Sequence, residues 1–152
     1  MPTLFASDRA FTFDVSAARF WETIGRTDQY TTWWSWLYRF EGAGLSEGVD
    51  ARCEVRAPLP YSLRFDIVVQ RVVEAELVET IVRGDLAGPA RLELESLAPD
   101  RCQARLTWAL EPCTPLLRNM ARFARPVMEW GHDRVLDVGV RQFQRRALDG
   151  RR

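Results

Sequence analysis

One histidine is the side chain in this sequence best suited to proton transfer. His132 is the only histidine, and an imidazole is the usual general acid or base near neutral pH. No nucleophile stands at a spacing that would complete a catalytic set, and on a helix Asp133 points about 100° away. The sequence favours a structural or surface role for His132, which is still the first candidate to test for catalysis.

Arg134 is the second candidate, because it falls inside the apolar sector of a predicted helix. Its guanidinium either extends past the sheet edge to water, or faces a cavity and pairs with a carboxylate or a ligand oxygen. Both alternatives stay open at this point. An inward Arg134 could polarise a carbonyl or bind a carboxylate, with Arg83 and Asp85 as polar neighbours.

Other chemistries find little support. All 21 basic residues are arginine, so no side-chain amine can form a Schiff base. Cys53, Cys102 and Cys113 lack CxxC spacing, which indicates reduced thiols and no metal site. There is no glycine-rich nucleotide loop, HExxH or GxSxG motif, and we expect no cofactor.

The composition indicates one globular domain over residues 1–152. The hydrophobic fraction is 47%, and 21 acidic residues balance 21 basic ones, so no nucleic-acid partner is expected. Asp8 and Arg9 interrupt the N-terminus where a signal peptide needs apolar residues, and no run approaches the roughly 18 apolar residues of a membrane span. We expect a cytoplasmic protein without an integral membrane segment.

A stretch from Trp36 to Leu110 alternates with the period of antiparallel strands. Residues 11–15 alternate in the same way and predict a short first strand. Residues 77–82 are apolar on both faces, so their inward row cannot be assigned. Elsewhere the alternation predicts the inward side chains, which are Trp36, Tyr38, Phe40, Cys53, Val55, Ala57, Tyr61, Leu63, Phe65, Ile67, Val69, Leu92, Leu94, Cys102, Ala104, Leu106, Trp108 and Leu110.

Helical patterns flank this region. Two short helices are predicted before Trp36, the first capped by Ser16 and the second by Thr27 or Asp28. After Pro112 an amphipathic helix of about thirty residues is predicted, kinked or broken near Pro126. A helical wheel places its buried sector at Leu116, Met120, Phe123, Val127, Trp130 and Val138, widened by Leu117, Ala124, Met128 and Val135.

Two further expectations concern this helix. Gly131 lies in the wheel's apolar sector, where glycine costs about 1 kcal/mol relative to alanine. It therefore indicates a close crossing of the sheet or space left for a ligand. Leu136, Val140 and Phe143 fall on the polar side of the wheel and suggest a homodimer contact.

Four local stretches sharpen the assignment: residues 30–36 (YTTWWSW), 59–63 (LPYSL), 82–88 (VRGDLAG) and 130–136 (WGHDRVL). They resemble actinobacterial members of the polyketide cyclase/dehydrase and lipid-transport superfamily (START-like, SRPBCC). The resemblance covers nearly the whole chain and implies an α+β helix-grip fold. In this fold a curved antiparallel sheet of about seven strands has two short helices after its first strand, and a long C-terminal helix crosses its concave face. No catalytic set of the superfamily maps onto this chain.

The predicted ligand is a hydrophobic small molecule held between the sheet and the last helix. Aromatic side chains give large contact areas at low entropic cost, whereas Trp34 is expected to fill the gap between helix and sheet. A buried Tyr61 hydroxyl would bond either a ligand or the protein. The residues predicted to contact the ligand are Trp33, Trp36, Tyr38, Tyr61, Phe65, Arg83, Trp108, Met120, Phe123, Val127, Trp130, Gly131 and Arg134.

Three functions compete. The first is a binding protein or carrier for a lipid-like or polyketide-like molecule, with an almost wholly apolar cavity. The second is a cofactor-free aromatase/cyclase or dehydrase, which needs several polar side chains converging on one spot, supplied by His132, Arg134, Tyr61, Tyr38 or Arg83. The third is a protein-interaction module, favoured by an exposed apolar patch beside a filled core.

Overall fold

The computed structural model describes residues 3–56 and 61–149. Its elements in chain order are β1 (Phe5–Phe13), α1 (Ala17–Ile24), a 3-10 turn (Thr27–Gln29), α2 (Tyr30–Trp33), β2 (Leu37–Glu41), β3 (Asp50–Val55), β4 (Leu63–Val73), β5 (Leu77–Gly84), β6 (Leu86–Ala98), β7 (Arg101–Pro112), α3 (Pro115–Phe123), α4 (Arg125–Gln142) and a π-helical turn (Phe143–Leu148). The predicted inward position of Ala57 lies outside the described residues.

The seven strands form one antiparallel sheet in the order β1-β7-β6-β5-β4-β3-β2. Six consecutive strands form a meander, and β1 closes the far edge by pairing with β7. The sheet curls into a half-barrel, and α4 lies across its concave face. The predicted α+β helix-grip fold is confirmed.

The first strand is longer than the sequence pattern indicates. It begins at Phe5 and ends at Phe13, and its nine residues pair with β7 from Phe5 opposite Leu110 to Phe13 opposite Cys102. The expected span of residues 11–15 is therefore wrong at both ends. Alternation is weak in the first half of β1, which is ordered by pairing with β7.

The inward row of β5 is decided by tertiary structure. Val78 and Val82 are buried, whereas Leu77 and Ile81 are only partly covered. Val82 faces the concave side of the sheet. The two apolar rows of this strand have similar composition, so only the register with β4 and β6 separates them.

A bulge in β2 overturns the predicted inward position of Tyr38. The register with β3 shifts between Leu37 and Arg39, so Leu37 and Phe40 both point into the sheet's concavity. Tyr38 is 53% exposed, and the Arg56 guanidinium stacks on its ring at 3.5 Å. A bulge inserts one residue and reverses the alternation beyond it.

The first helix begins at its predicted cap, Ser16. The Ser16 side chain accepts a hydrogen bond from the Arg19 backbone N–H at the start of α1, and Thr114 caps α3 in the same way. The prediction that Thr27 or Asp28 caps the second helix is wrong, because Arg26 precedes the 3-10 turn, Gln29 precedes α2, and neither element has a side-chain cap.

The predicted break near Pro126 is confirmed, because Ala124 leaves the helical conformation (φ −128°, ψ 24°) and separates α3 from α4. Proline fits the first turn of α4, where its missing N–H has no intrahelical partner.

The buried stripe of α3 and α4 is rotated by about one residue from the predicted sector. Leu117, Ala121, Met128, Leu136 and Gly139 are buried. Of the predicted sector, Leu116, Phe123, Val127 and Trp130 are exposed. Apolar residues occupy more than half of the helix circumference, so the wheel alone cannot locate the face that meets the sheet.

Within the described ranges, no helix combines the length and the apolar character that crossing a bilayer requires.

Candidate functional site

A cavity of about 400 Å³ lies between the concave face of the sheet and the helices. The strands supply its floor through inward residues of every strand from β1 to β7. These are Phe5, Phe11, Phe13, Leu37, Phe40, Cys53, Val55, Leu63, Phe65, Ile67, Val82, Leu86, Ala90, Leu92, Ala104, Leu106, Trp108 and Leu110. The helices and their connections complete the lining with Phe20, Ile24, Tyr30, Trp34, Trp36, His132, Val135, Leu136, Gly139, Val140 and Phe143.

His132 is the one ionisable side chain that α4 contributes to this lining, and its ring is held on three sides. The Trp108 indole N–H donates a hydrogen bond to His132 Nε2 at 2.9 Å. Nε2 is therefore the acceptor, so Nδ1 carries the proton and donates to Asp133 Oδ1 at 3.0 Å. The Phe5 ring stacks on the imidazole with centroids 4.9 Å apart.

The position of Asp133 corrects the helical-wheel expectation. Adjacent residues point about 100° apart on a helix, yet the Asp133 carboxylate reaches the neighbouring imidazole. A short side chain can bend along the helix surface toward its neighbour. The result is a chain of contacts from Asp133 through His132 to Trp108, with both ring nitrogens of His132 engaged within the protein.

The remaining polar groups of the lining are also bonded internally. Trp34 donates its indole N–H to the Gly139 carbonyl at 2.8 Å, and Trp36 donates to the Gln142 side-chain oxygen at 3.1 Å. The Tyr30 hydroxyl donates to the Ile24 carbonyl, and burial raises the pKa of Tyr30. These hydrogen bonds leave an apolar surface toward the cavity.

Cys53 contributes a thiol to the floor of the cavity. Its side chain is buried and contacts the Ala51 carbonyl at 3.8 Å. Burial raises the pKa of the Cys53 thiol to about 12, with the negative charges of Asp66 and Asp50 acting in the same direction. The thiol therefore stays protonated, whereas the thiolate is the nucleophile in cysteine chemistry.

Four of the predicted site residues come together in the cavity lining: Trp36, Phe65, Trp108 and His132. Trp33 is buried in the core behind the lining, and its carbonyl accepts a hydrogen bond from Arg146. Trp34, expected only to fill a gap, lines the cavity instead.

Tyr61 precedes β4 and packs against the core without lining the cavity. Its hydroxyl is buried and has no hydrogen-bond partner among the described residues. Burial raises the pKa of this hydroxyl to about 12.

The predicted polar candidates diverge from the cavity. Arg134 and Arg83 are both exposed, because Arg134 follows the outer stripe of α4 and Arg83 alternates outward from Val82. With Tyr38 on the outside as well, the convergence that a cyclase requires is not found among these candidates. Of the two alternatives for Arg134, the structure therefore supports the one in which its guanidinium extends to water.

Most of the predicted helix contacts also lie elsewhere. Phe123, Val127 and Trp130 are on the outer surface, and Met120 packs against the core from α3. Gly131 is buried but does not line the cavity. The rotation of the buried stripe accounts for the outward positions of Phe123, Val127 and Trp130.

Gly139 has the role that the sequence suggested for Gly131. A Cβ at this position would lie 3.1 Å from Trp36 Cζ2, so the absent side chain lets the indole pack against α4. The same rotation explains why Leu136, Val140 and Phe143 line the cavity. These three residues therefore no longer support a dimer contact.

Three phenylalanines of the lining, Phe13, Phe20 and Phe143, were not among the predicted ligand contacts. Phe13, Phe20 and Phe143 form a cluster of ring contacts with centroids 5.1–6.0 Å apart. They come from β1, α1 and the C-terminal turn, so no local spacing connects them. Alternation in β1 was the one signal that pointed to Phe11 and Phe13.

Metal binding finds no support in the geometry of the described residues, where no three His, Cys, Asp or Glu side chains converge.

Comparison with known proteins shows similarity in structure alone. No family model matches the sequence, and no curated protein sequence matches it. A START superfamily protein from Mycobacterium smegmatis is 13% identical, with a TM-score of 0.73 over 95% of this chain and 97% of that one.

Two enzymes have similar structures. The ZhuI aromatase/cyclase from Streptomyces sp. R1128 is 12% identical, with a TM-score of 0.67 over 96% of this chain and 92% of that one. Norcoclaurine synthase from Thalictrum flavum is 10% identical, with the same TM-score over 97% and 88%. The chain therefore has the START-like helix-grip fold, which at these identities carries no particular reaction with it.

Proposed function

We propose that this protein binds an apolar small molecule in the cavity between its sheet and α4. One observation carries the proposal: the cavity has about 400 Å³ of space, and its polar side chains are hydrogen-bonded within the protein. That volume lies within the range of about 300–1,000 Å³ found for small-molecule sites.

The lining also defines the chemistry of the ligand. A ligand hydroxyl or carbonyl placed among these residues would lose its bonds to water without replacement, at about 1–3 kcal/mol per group. A hydrocarbon-like or aromatic body is therefore preferred, with any polar group outside the cavity. Rings from Phe20, Trp34 and Trp36 suit a flat molecule as well as an aliphatic one.

The binding function is favoured over the two alternatives. A cyclase requires polar groups that face the substrate, and here His132 is engaged by Trp108 and Asp133. An interaction module does not require a cavity of this size in its core. The similarity to an aromatase/cyclase concerns the fold and supplies no catalytic set.

The test begins with native mass spectrometry of freshly purified protein, followed by extraction of any bound molecule. Delipidated protein is then titrated with N-phenylnaphthylamine, a neutral apolar fluorophore. Ala90 lines the cavity opposite Trp108 in the β6–β7 register, so Ala90→Leu fills space there. Ala109 is exposed on β7, and Ala109→Leu is the matched control.

We expect the wild type to bind the probe. Ala90→Leu should weaken binding about ten-fold or more, and a ten-fold loss corresponds to about 1.4 kcal/mol. Ala109→Leu should leave the affinity for the probe unchanged. Equal binding by both variants, or no binding by the wild type, would contradict the proposal. Thermal unfolding of each variant verifies that the fold is retained.

A further inference from the structure

We propose that the outer face of α3 and of the first turns of α4 docks on a lipid bilayer that carries anionic headgroups. We call this surface the outer apolar face and define it by Leu116, Phe123, Val127 and Trp130. It lies on the side of the helices away from the cavity.

The exposure of these four side chains is unusual for their type. Leu116 is 65% exposed, Phe123 86%, Val127 58% and Trp130 62%, and they account for four of the six exposed large hydrophobic residues described. All four fall within fifteen consecutive positions on two adjoining helices. Single exposed hydrophobic residues are ordinary, whereas a group of this kind marks a surface that meets a partner.

The charges beside this face select the partner. Within α3, Arg118 and Arg122 are the charged residues, and the helix has no carboxylate. At the start of α4, Arg125 is paired with Glu129 at 2.8 Å. The chain as a whole has no net charge, so the excess of positive charge on α3 is local. Apolar residues including Trp and Phe, flanked by Arg, are typical of helices that lie in the interface of an anionic membrane.

A second copy of the chain fits this face less well. A two-fold contact places the same surface of both copies together, so the positively charged α3 segments of both copies would belong to one interface. No acidic residue on α3 is available to pair with them, and like charges at an interface oppose association. Phosphate groups of lipids supply the missing negative charge.

The position of the face relates it to the cavity. Val127 and Trp130 point outward from α4, while His132 and Val135 on the same helix line the cavity. Docking would therefore bring the helix that covers the cavity to the lipid surface. The inference does not depend on what the cavity holds, because it is drawn from the outer surface alone.

The experiment is flotation of the full chain, without added ligand, with vesicles of two compositions. One contains phosphatidylcholine alone, and the other contains phosphatidylcholine with about one-third phosphatidylglycerol. The wild type is compared with the double variant Phe123→Ser, Trp130→Ser and with Arg122→Gln. Leu97 is an exposed hydrophobic residue at the end of β6, so Leu97→Ser is the matched control.

We expect binding to the phosphatidylglycerol vesicles that weakens as salt is raised. The partition coefficient should fall at least about ten-fold in the double variant, because two aromatic rings no longer enter the bilayer. It should fall less in Arg122→Gln and stay unchanged in Leu97→Ser.

Three results would overturn the proposal. They are no vesicle binding by the wild type, undiminished binding by the double variant, or a dimer in sedimentation velocity that the double variant dissociates. Circular dichroism melting confirms that each variant is folded. Probe binding in the cavity is measured separately, so failure of either proposal leaves the other standing.

Discussion

The indole N–H of Trp108 on β7 donates to His132 Nε2 on α4 across 2.9 Å. This bond joins β7, the last strand in chain order, to the helix that covers the cavity. It also occupies the ring nitrogen that a ligand would otherwise meet. The sequence singled out both residues, but nothing in their spacing indicated that they pair.

Removing both partners of this hydrogen bond should cost less stability than the two single substitutions cost in sum. His132→Phe leaves the Trp108 N–H without an acceptor, and we expect the free energy of unfolding to fall by about 1–3 kcal/mol. In the double variant His132→Phe, Trp108→Phe no unpaired donor remains. Its loss should be smaller than the sum of the two single losses, as measured by urea unfolding in a double-mutant cycle. Additive losses would show that the hydrogen bond contributes little.

The effect of Gly139→Ala on the stability of the fold should depend on whether residue 36 is tryptophan. Alanine normally stabilises a helix by up to about 1 kcal/mol relative to glycine. Here the new Cβ would lie 3.1 Å from the indole, which is itself held by Gln142. We therefore expect Gly139→Ala to destabilise the wild type in thermal unfolding.

The same Gly139→Ala change should stabilise a Trp36→Phe background, because the smaller ring does not reach the helix. Destabilisation of equal size in both backgrounds would mean that the contact with Trp36 is not the cause.

The three cysteines should differ in their reactivity toward iodoacetamide. Cys53 and Cys102 are buried, and burial raises the pKa of both thiols. Cys113 is partly exposed. Since the thiolate is the reacting species, we expect native protein to be labelled at Cys113 first. Cys53 and Cys102 should react when urea unfolds the chain. Peptide mass spectrometry assigns the sites, and rapid native labelling of Cys53 would contradict its placement.

Glu54 should make stability depend on pH in the acidic range. Its side chain is buried on β3 and pairs with Arg56 and Arg64. Burial opposes its charge, but the hydrogen bonds and charges of the two arginines outweigh burial and hold the pKa of the carboxyl below its usual range. A lowered pKa in the folded state stabilises the protein fully above the ordinary glutamate range. That contribution is lost as pH falls through this range toward the folded-state pKa.

Glu54→Gln should therefore lower the free energy of unfolding at roughly pH 7, with a difference from wild type that shrinks by roughly pH 3. Urea unfolding at both pH values measures this. Glu41→Gln, which alters an exposed partner of Arg39, serves as the control and should change little at either pH. A difference that persists undiminished in acid would exclude an electrostatic origin.

The strand pattern by itself determined most of the cavity floor. In β3, β4 and β7, alternate residues point to opposite faces of the sheet, so the inward positions of Cys53, Phe65 and Trp108 follow from local sequence. The element order and the break near Pro126 were equally local, because caps and prolines act on their immediate neighbours. The order of strands and helices therefore follows from signals that lie within single elements, whereas the helix-grip fold was expected from the family resemblance.

Tertiary structure alone decided which face of α4 meets the sheet. Leu116 and Leu117 are both apolar, as are Val127 and Met128, so burying either stripe satisfies the sequence pattern. Packing against the sheet selected Leu117 and Met128. This choice turned Arg134 and Trp130 outward and brought His132 and Gly139 to the cavity. Such contacts join residues far apart in the chain, and periodicity within one element carries no information about its partner.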